Sequence, residues 1–240
     1  MKINITFQDK THQLLINRVH YIRRLGYPKN YEVPEPIEKS MQWAAKWYRE
    51  QGDPWLHICE VEVDLRNEKL YLHKKETKAP KIFKRFQKHD VKNALLIAST
   101  AGKKVDEKTT ALWSSEYPDR AFFLGTFAAS AAEAIVSFAI EYIRQWTAQK
   151  GMKALSRYSP GFPGWDLKEQ FLLMEILQQE SKGQVPITIS DTALLTPIKS
   201  QLSLVGIYTG AQHKEQVNTE CLQCNFMDCT CKDNGMFIKR

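Results

Sequence analysis

The sequence holds few of the features that identify a protein at a glance. Its first ten residues, Met1 to Lys10, contain no continuous apolar core, so a secretory leader is not expected there. No uninterrupted apolar run approaches the roughly 18 residues of a membrane span. The most apolar stretch, Ala121 to Ile143, is broken by Glu133 and Glu141. The six histidines are scattered, with no H-E-x-x-H pairing, and earn no catalytic role. No internal repeat and no nucleic-acid-binding motif is present. No general acid, base or nucleophile stands out. These absences predict a cytoplasmic protein with no membrane partner and no nucleic-acid ligand.

What is present is ordinary in bulk. The 240 residues are 43% hydrophobic and 25% charged, enough for one large domain or two small ones with a sizeable core. The formal net charge of +7 permits an acidic partner without choosing one. The five cysteines are few, and four of them crowd the last twenty residues. In a reducing compartment such crowding points to metal or redox chemistry before structural disulfides.

Apolar spacing divides the chain into elements. Leu14, Leu15, Val19, Ile22 and Leu25 recur at helical intervals before Gly26. A second amphipathic helix is expected from Glu35 to Gln51, closed by Gly52-Asp53-Pro54, so the first sixty residues read as helical. Residues 55 to 72 change period and predict two strands turned at Arg66-Asn67-Glu68. Residues 73 to 92 carry eight Lys or Arg side chains, with Ile82, Phe83 and Phe86 at helical spacing. Ala94 to Ala98 reads as a buried strand, and a helix follows Gly102. Phe127 to Gln149 is a long helix with a small-residue face, Ala128 to Ala132. Asp166 and Glu169 have the spacing of a capping box that opens a helix to about Gln179. Two extended segments between Val185 and Tyr208 flank a turn at Thr196-Pro197. Strands mixed with long helices and lacking a βαβ rhythm favour α+β or irregular α/β with much antiparallel pairing. Three parts are expected: a helical segment over 1–54, an α/β core over 55–212 and a cysteine-bearing tail over 213–240.

Two segments could carry chemistry. The first is Arg157-Tyr158-Ser159-Pro160-Gly161-Phe162, between two helices. Arg157 suits a carboxylate, gripped by two parallel hydrogen bonds. Gly161 lets a ligand lie against the main chain, and the prolines stiffen the segment, so exposed backbone groups are expected to face the ligand. Phe162 offers a ring face to a cation or a flat base. Composition alone favours a plainer reading, a stiff connection whose arginine caps the preceding helix. The second segment places Cys221, Cys224, Cys229 and Cys231 two, four and one residues apart. Four thiolates at such spacing suit an iron–sulfur cluster or zinc. The alternative is a reduced tail with incidental cysteines, or disulfides formed on oxidation. Cys59 sits in a strand pattern and reads as core.

The order of these elements resembles the activation (reactivation) domain of cobalamin-dependent methionine synthase, and more closely its stand-alone relatives. Arg157 to Phe162, followed by Trp165, a capped helix and Gln170, is similar to the family's Arg-x-x-x-Gly-Tyr segment. Ile22-Arg23-Arg24-Leu25-Gly26-Tyr27 resembles its Leu-Arg-Tyr-Leu-Gly-Tyr element. Ala131-Ala132-Glu133-Ala134 falls on a long helix as it does there. Ile189-Ser190-Asp191-Thr192, then Pro197 and Ser200, resembles its Leu-Thr-Glu-Ser segment. Cys221, Cys224 and Cys229 fit a C-terminal spacing that stand-alone relatives often carry.

The resemblance implies a twisted, largely antiparallel sheet flanked by helices, with S-adenosylmethionine as cofactor. It places the methionine carboxylate on Arg157, the rest of the ligand along Ser159, Pro160, Gly161 and Phe162, and polar contacts at Glu133 and Asp191. Its acidic ligand for the substrate ammonium falls among Glu35, Glu38 and Asp53. Phe162 departs from the family's tyrosine, which loses a hydroxyl beside the methyl group. The implied role is to present S-adenosylmethionine to cob(II)alamin while an electron carrier reduces it. With no room for a cobalamin module, the chain would dock in trans on a cobalamin-bearing methionine synthase subunit. A flavodoxin-like or other electron donor would complete the set, the basic tract from His73 to Lys92 serving as docking patch or simply as a solvated face. The alternatives are an iron–sulfur electron-transfer protein that reactivates another corrinoid methyltransferase, or a non-catalytic assembly subunit.

Overall fold

The computed structural model describes residues 3–8, 16–28, 31–181 and 185–209. Its centre is three antiparallel strands: β2 (Trp55–Arg66), β5 (Asn93–Thr100) and β9 (Ser200–Thr209). β5 lies between the other two, and its residues from Ala94 to Thr100 are all buried. A strand covered on both faces needs the near-continuous apolar run that Ala94 to Ala98 supplies.

The sheet extends outward from this core. β2 continues through a two-residue turn into β3 (Lys69–Leu72), and β3 pairs with β4 (Lys75–Thr77). Asn67 and Glu68, the turn residues, have φ of 50° and 59°, the left-handed pair that matches the twist of a hairpin. On the far side β9 pairs with β6 (Met152–Ala154), giving the order β4-β3-β2-β5-β9-β6 with every pairing antiparallel. The largely antiparallel α+β architecture expected from the sequence is the one observed.

The first sixty residues are not uniformly helical, because Asn4–Phe7 form a strand, β1, paired with Leu56 to Cys59 at the start of β2. Its alternating apolar residues Ile5 and Phe7 lie half-buried against Phe138 and Tyr142. Two apolar residues are too few for a period to be read from sequence.

Helices cover both faces. The longest, α5 (Pro118–Ala148), starts nine residues before the predicted Phe127. Its C-terminal half packs Ile135, Ala139 and Ile143 on Ile58, Leu95, Ile97 and Val205. Its N-terminal half packs Leu124, Ala128 and Ala131 against α1 (Arg18–Arg24), α2 (Glu35–Gln51) and α4 (Lys103–Trp113). α5 is long and apolar enough to cross a membrane by length and composition. Here that apolarity has a local cause, since the sheet, α2 and α4 all bury parts of its surface. The opposite face of the sheet carries α3 (Pro80–Lys88) and α6 (Gln170–Glu180). Ile82, Phe86, Leu173 and Leu177 meet Cys59, Val61, Leu96 and Leu204 there. Cys59 is fully buried, as its strand pattern predicts. The basic tract folds as β4 and α3, with Lys81, Lys84 and Lys88 on the solvent side and Ile82 and Phe86 inward.

Candidate functional site

The segment around Arg157 is fixed by β9. After β6 the chain returns to that strand at one point, where Tyr158 and Leu204 exchange both backbone hydrogen bonds, at 2.8 and 2.7 Å. Tyr158 then points inward, stacked on buried Trp165, and its hydroxyl donates to the Pro163 carbonyl at 2.5 Å. Arg157, one residue earlier, lies half-buried beside β9. Its Nη1 is 3.4 Å from Ser159 Oγ, 3.4 Å from Gln201 Oε1 and 3.5 Å from Ser203 Oγ. Gln201 and Ser203 share a strand face with Val205 and Ile207, which pack under α5, so the guanidinium lies on the α5 side of the sheet. Phe162 sits beneath it, 5.7 Å from ring centroid to guanidinium carbon, and is 38% exposed.

The loop differs from its sequence expectation in one respect. The backbone N–H groups of Gly161 and Phe162 do not face outward for a ligand. Gly161 donates to the Trp165 carbonyl at 2.9 Å, and Phe162 donates to the Ser159 carbonyl at 3.1 Å. Gly161 has φ +89°, so its glycine is required by the turn itself. The position a Cβ would take lies 3.4 Å from Leu167 Cδ1. Four residues closing hydrogen bonds among themselves make a rigid platform, and Pro160 is buried within it. What the platform presents is side chain, Arg157 and the ring of Phe162, while the Ser159–Ser203 hydroxyl pair at 2.8 Å is buried beside them.

Behind the loop, Trp165 Nε1 donates to Thr77 Oγ1 at 3.3 Å, and Thr77 donates to Glu169 at 2.5 Å. Only half of the predicted capping box therefore forms. Asp166 accepts from the Lys168 N–H at 2.8 Å, whereas Glu169 turns toward β4. Buried Gln170 donates to the Ala193 carbonyl at 2.7 Å and ties α6 to the hairpin of β7 (Thr188–Ile189) and β8 (Leu195–Thr196).

A cleft of about 690 Å³ opens between α1, α4, α5 and the residues leading into β9. Its apolar walls include the exposed side chains of Trp113, Phe122 and Ile198, and its floor is the small-residue face of α5 at Gly125, Ala128 and Ala129. Glu133 lines it and is ion-paired with Arg24 of α1. Asp106 also lines it and accepts the Ile198 N–H; burial pushes its carboxyl above the usual range. Lys199 and Arg23 line it as well. Lys199, Gln201 and Ser203 are alternate residues of one chain, spaced about 6.6 Å per step. The cleft and the Arg157 platform are thus neighbours along β9.

The remaining predicted residues lie elsewhere. Asp191 is exposed at the tip of the β7–β8 hairpin. Glu35 pairs with Lys39 at 2.7 Å and Glu38 with Arg18 at 2.6 Å. Asp53 accepts the Lys104 N–H at 3.0 Å, capping α4. Each of these three acids already has a local partner. Cys221, Cys224, Cys229 and Cys231 lie outside the described residues, and among the described residues no group of His, Cys, Asp and Glu is arranged to hold a metal. Sequence reading did not single out Gln201, Ser203, Lys199, Trp113 or Phe122. The alternation of Gln201 and Ser203 with Leu202 and Leu204 was the available signal for the first two.

No protein-family model matches the chain, and no curated protein matches it. Among solved structures, it is similar to a crystal structure of the MetH reactivation domain bound to AdoHcy, with a TM-score of 0.64. The match covers 88% of this chain and 80% of that one at 10% sequence identity. What the two chains share at that identity is the fold: an open antiparallel sheet with helices on both faces.

Proposed function

We propose that the chain binds S-adenosylmethionine as an activation subunit, supporting reductive methylation of cobalamin on a separate methionine synthase subunit. The observation that carries the reading is the Arg157 platform. Arg157 Nη1 lies within 3.5 Å of three neutral side-chain oxygens, Ser159 Oγ, Gln201 Oε1 and Ser203 Oγ, which orient the guanidinium beside β9. Such a group, oriented and half-buried, suits the carboxylate of an amino acid. Ser159 and Ser203 hold it in place, while Pro160 and Gly161 shape the turn that sets Phe162 under it. The adjoining cleft has the concave, largely apolar character of a small-molecule site. A carboxylate on Arg157 leaves the body of the ligand to run along β9 past Gln201 into that cleft.

Two further facts support the reading. The fold neighbour is recorded with AdoHcy, the demethylated form of the proposed ligand. Glu133 lies on the long helix α5, the kind of element that the sequence resemblance implies for it. The reducing and nucleophilic chemistry belongs to the partner's corrinoid and an electron donor, and this chain's part is to bind and aim the methyl donor. A basic face at α3 is available for an acidic partner. The deciding experiment is calorimetric titration of the protein with S-adenosylmethionine. Saturable binding by wild type, with a loss of at least tenfold in Arg157→Ala, is expected; no binding, or unchanged affinity in the variant, overturns the reading.

A further inference from the structure

We infer that the far end of this cleft, at Trp113 and Phe122, holds the flat base of the proposed ligand. The inference rests on the ligand reading above and gives a place to the part of the ligand that Arg157 does not reach. Two walls of the cleft are α4 and α5, and the chain reverses between them within residues 114–117. Trp113 ends α4 and Phe122 stands in the second turn of α5, so both rings lie at the reversal. Asp106 is seven residues back from Trp113 on α4, about 10 Å along the axis. Glu133 is eleven residues on from Phe122 on α5, about 16 Å along its axis. Glu133 pairs with Arg24, and Asp106 accepts the Ile198 N–H beside Lys199. The cleft thus has a charged end next to β9 and an aromatic end away from it.

The aromatic end is shaped for a planar ring. Trp113 and Phe122 are 56% and 45% exposed although both line a concave wall, so each leaves ring surface open to a ligand. Phe122 is held from behind by an edge contact with buried Phe123 at 5.7 Å between centroids. Gly125 lies on the floor one turn beyond Phe122. Among the described residues a Cβ there would meet only Thr109 Cγ2, at 3.5 Å, an ordinary contact. Packing therefore does not require this glycine, and helix propensity opposes it. Its missing side chain keeps the floor flat beside the two rings. The order of groups in the ligand decides which part arrives there. Counted from the carboxylate on Arg157, the sulfonium comes first, the ribose next and the base last. The sulfonium then falls toward the charged end, and the base reaches the rings, where it stacks through its face.

The test is calorimetric titration of the full chain and its variants with S-adenosylmethionine and S-adenosylhomocysteine, which carry the same base and differ in charge at sulfur. Trp113→Ala is expected to weaken both ligands by the same factor, about fivefold or more. Trp113→Phe keeps a ring and is expected to stay within about threefold of wild type. Gly125→Leu favours the helix but fills the floor, and is expected to weaken both ligands by about fivefold or more. Unchanged affinity for both ligands in Trp113→Ala, with the loss in Arg157→Ala retained, overturns the inference and leaves the ligand reading intact. A loss confined to S-adenosylmethionine sets the ring against the sulfonium and overturns it too. Equal weakening in Trp113→Ala and Trp113→Phe assigns the indole a packing role and overturns it as well. If neither ligand binds wild type, the ligand reading fails and the inference falls with it.

Discussion

Ser159 Oγ and Ser203 Oγ lie 2.8 Å apart, joining the Arg157 loop to the middle of β9 by a buried hydroxyl pair. Ser203 is fully buried, and the same hydroxyl is 3.5 Å from Arg157 Nη1. Ser203→Ala removes a partner from both. A buried hydrogen bond of this kind contributes on the order of 1 kcal/mol, so chemical denaturation should report a loss of about that size. Affinity for S-adenosylmethionine should fall as well, because the guanidinium loses one of its constraints. A stability loss with full retention of affinity would separate the serine pair from the ligand site.

Arg157→Lys is expected to recover little of the affinity lost in Arg157→Ala. An ammonium keeps the charge but cannot make two parallel bonds to a carboxylate, nor stack on an aromatic face as a guanidinium can, and the Arg157 guanidinium carbon lies 5.7 Å over the Phe162 ring. Titration of both variants against the same ligand is the check. Recovery to within threefold of wild type would mean that charge alone is recognised.

Gly102 has φ +109°, and a Cβ there would fall 2.1 Å from Asp53 Oδ1 and 2.7 Å from the Asp53 carbonyl oxygen. That carboxylate caps α4 through the Lys104 N–H. Gly102→Ala must therefore strain the backbone and displace the cap together, a cost of more than about 2 kcal/mol. Urea denaturation measures it. A loss below about 1 kcal/mol would show that the α4 entry relaxes freely.

His57 is buried in β2, its ring stacked on Trp55 and its Nδ1 2.8 Å from Thr6 Oγ1. Burial holds its pKa below the ordinary histidine value, partly offset by the charge of Glu180. The folded protein thus binds this proton less readily than the unfolded chain. The stabilising effect is complete above the unfolded histidine pKa, about 6.5. It declines as pH falls below that value toward the lowered folded pKa. Stability should therefore drop on acidification from pH 7 to 5, with a slope that flattens in His57→Phe. A variant with the wild-type slope would show that His57 does not set the pH dependence.

Much of this arrangement was legible in the sequence, and the exceptions have physical causes. β5 announced itself because Ala94 to Ala98 is apolar on both faces, and α5 because its small and large residues repeat with helical period. β1 did not, since four residues carry too little period and its pairing to Cys59 spans 55 positions. The Arg157 loop was legible as a unit through Pro160, Gly161 and Trp165. Its hydrogen bonds were not, because prolines and glycines announce a turn without saying which backbone groups the turn consumes. Glu133 was legible as a polar residue on an apolar helix. Its partner Arg24 lies 109 positions away on α1, and only packing α1 against α5 brings them together. A charge's availability depends on such partners, so the type of residue at Glu133 was readable and its chemistry was not.

Phe162 is a position at which the sequence departs from the activation-domain pattern it resembles, as Asp191 in place of a glutamate is another, and the structure gives its ring a distinct job. Its ring contacts Tyr158 edge-on at 5.4 Å and lies 5.7 Å below the Arg157 guanidinium. The loop needs the ring to hold that guanidinium and gains nothing in the described contacts from a hydroxyl. Phe162→Tyr should therefore bind S-adenosylmethionine within about threefold of wild type, whereas Phe162→Ala should weaken it by roughly three- to tenfold, the scale of one exposed cation–π contact. If the tyrosine is present in activation domains for aiming the methyl group, Phe162→Tyr should alter methyl transfer to a corrinoid partner while leaving affinity in place. Equal effects of the two substitutions on binding would show that the ring does not support Arg157.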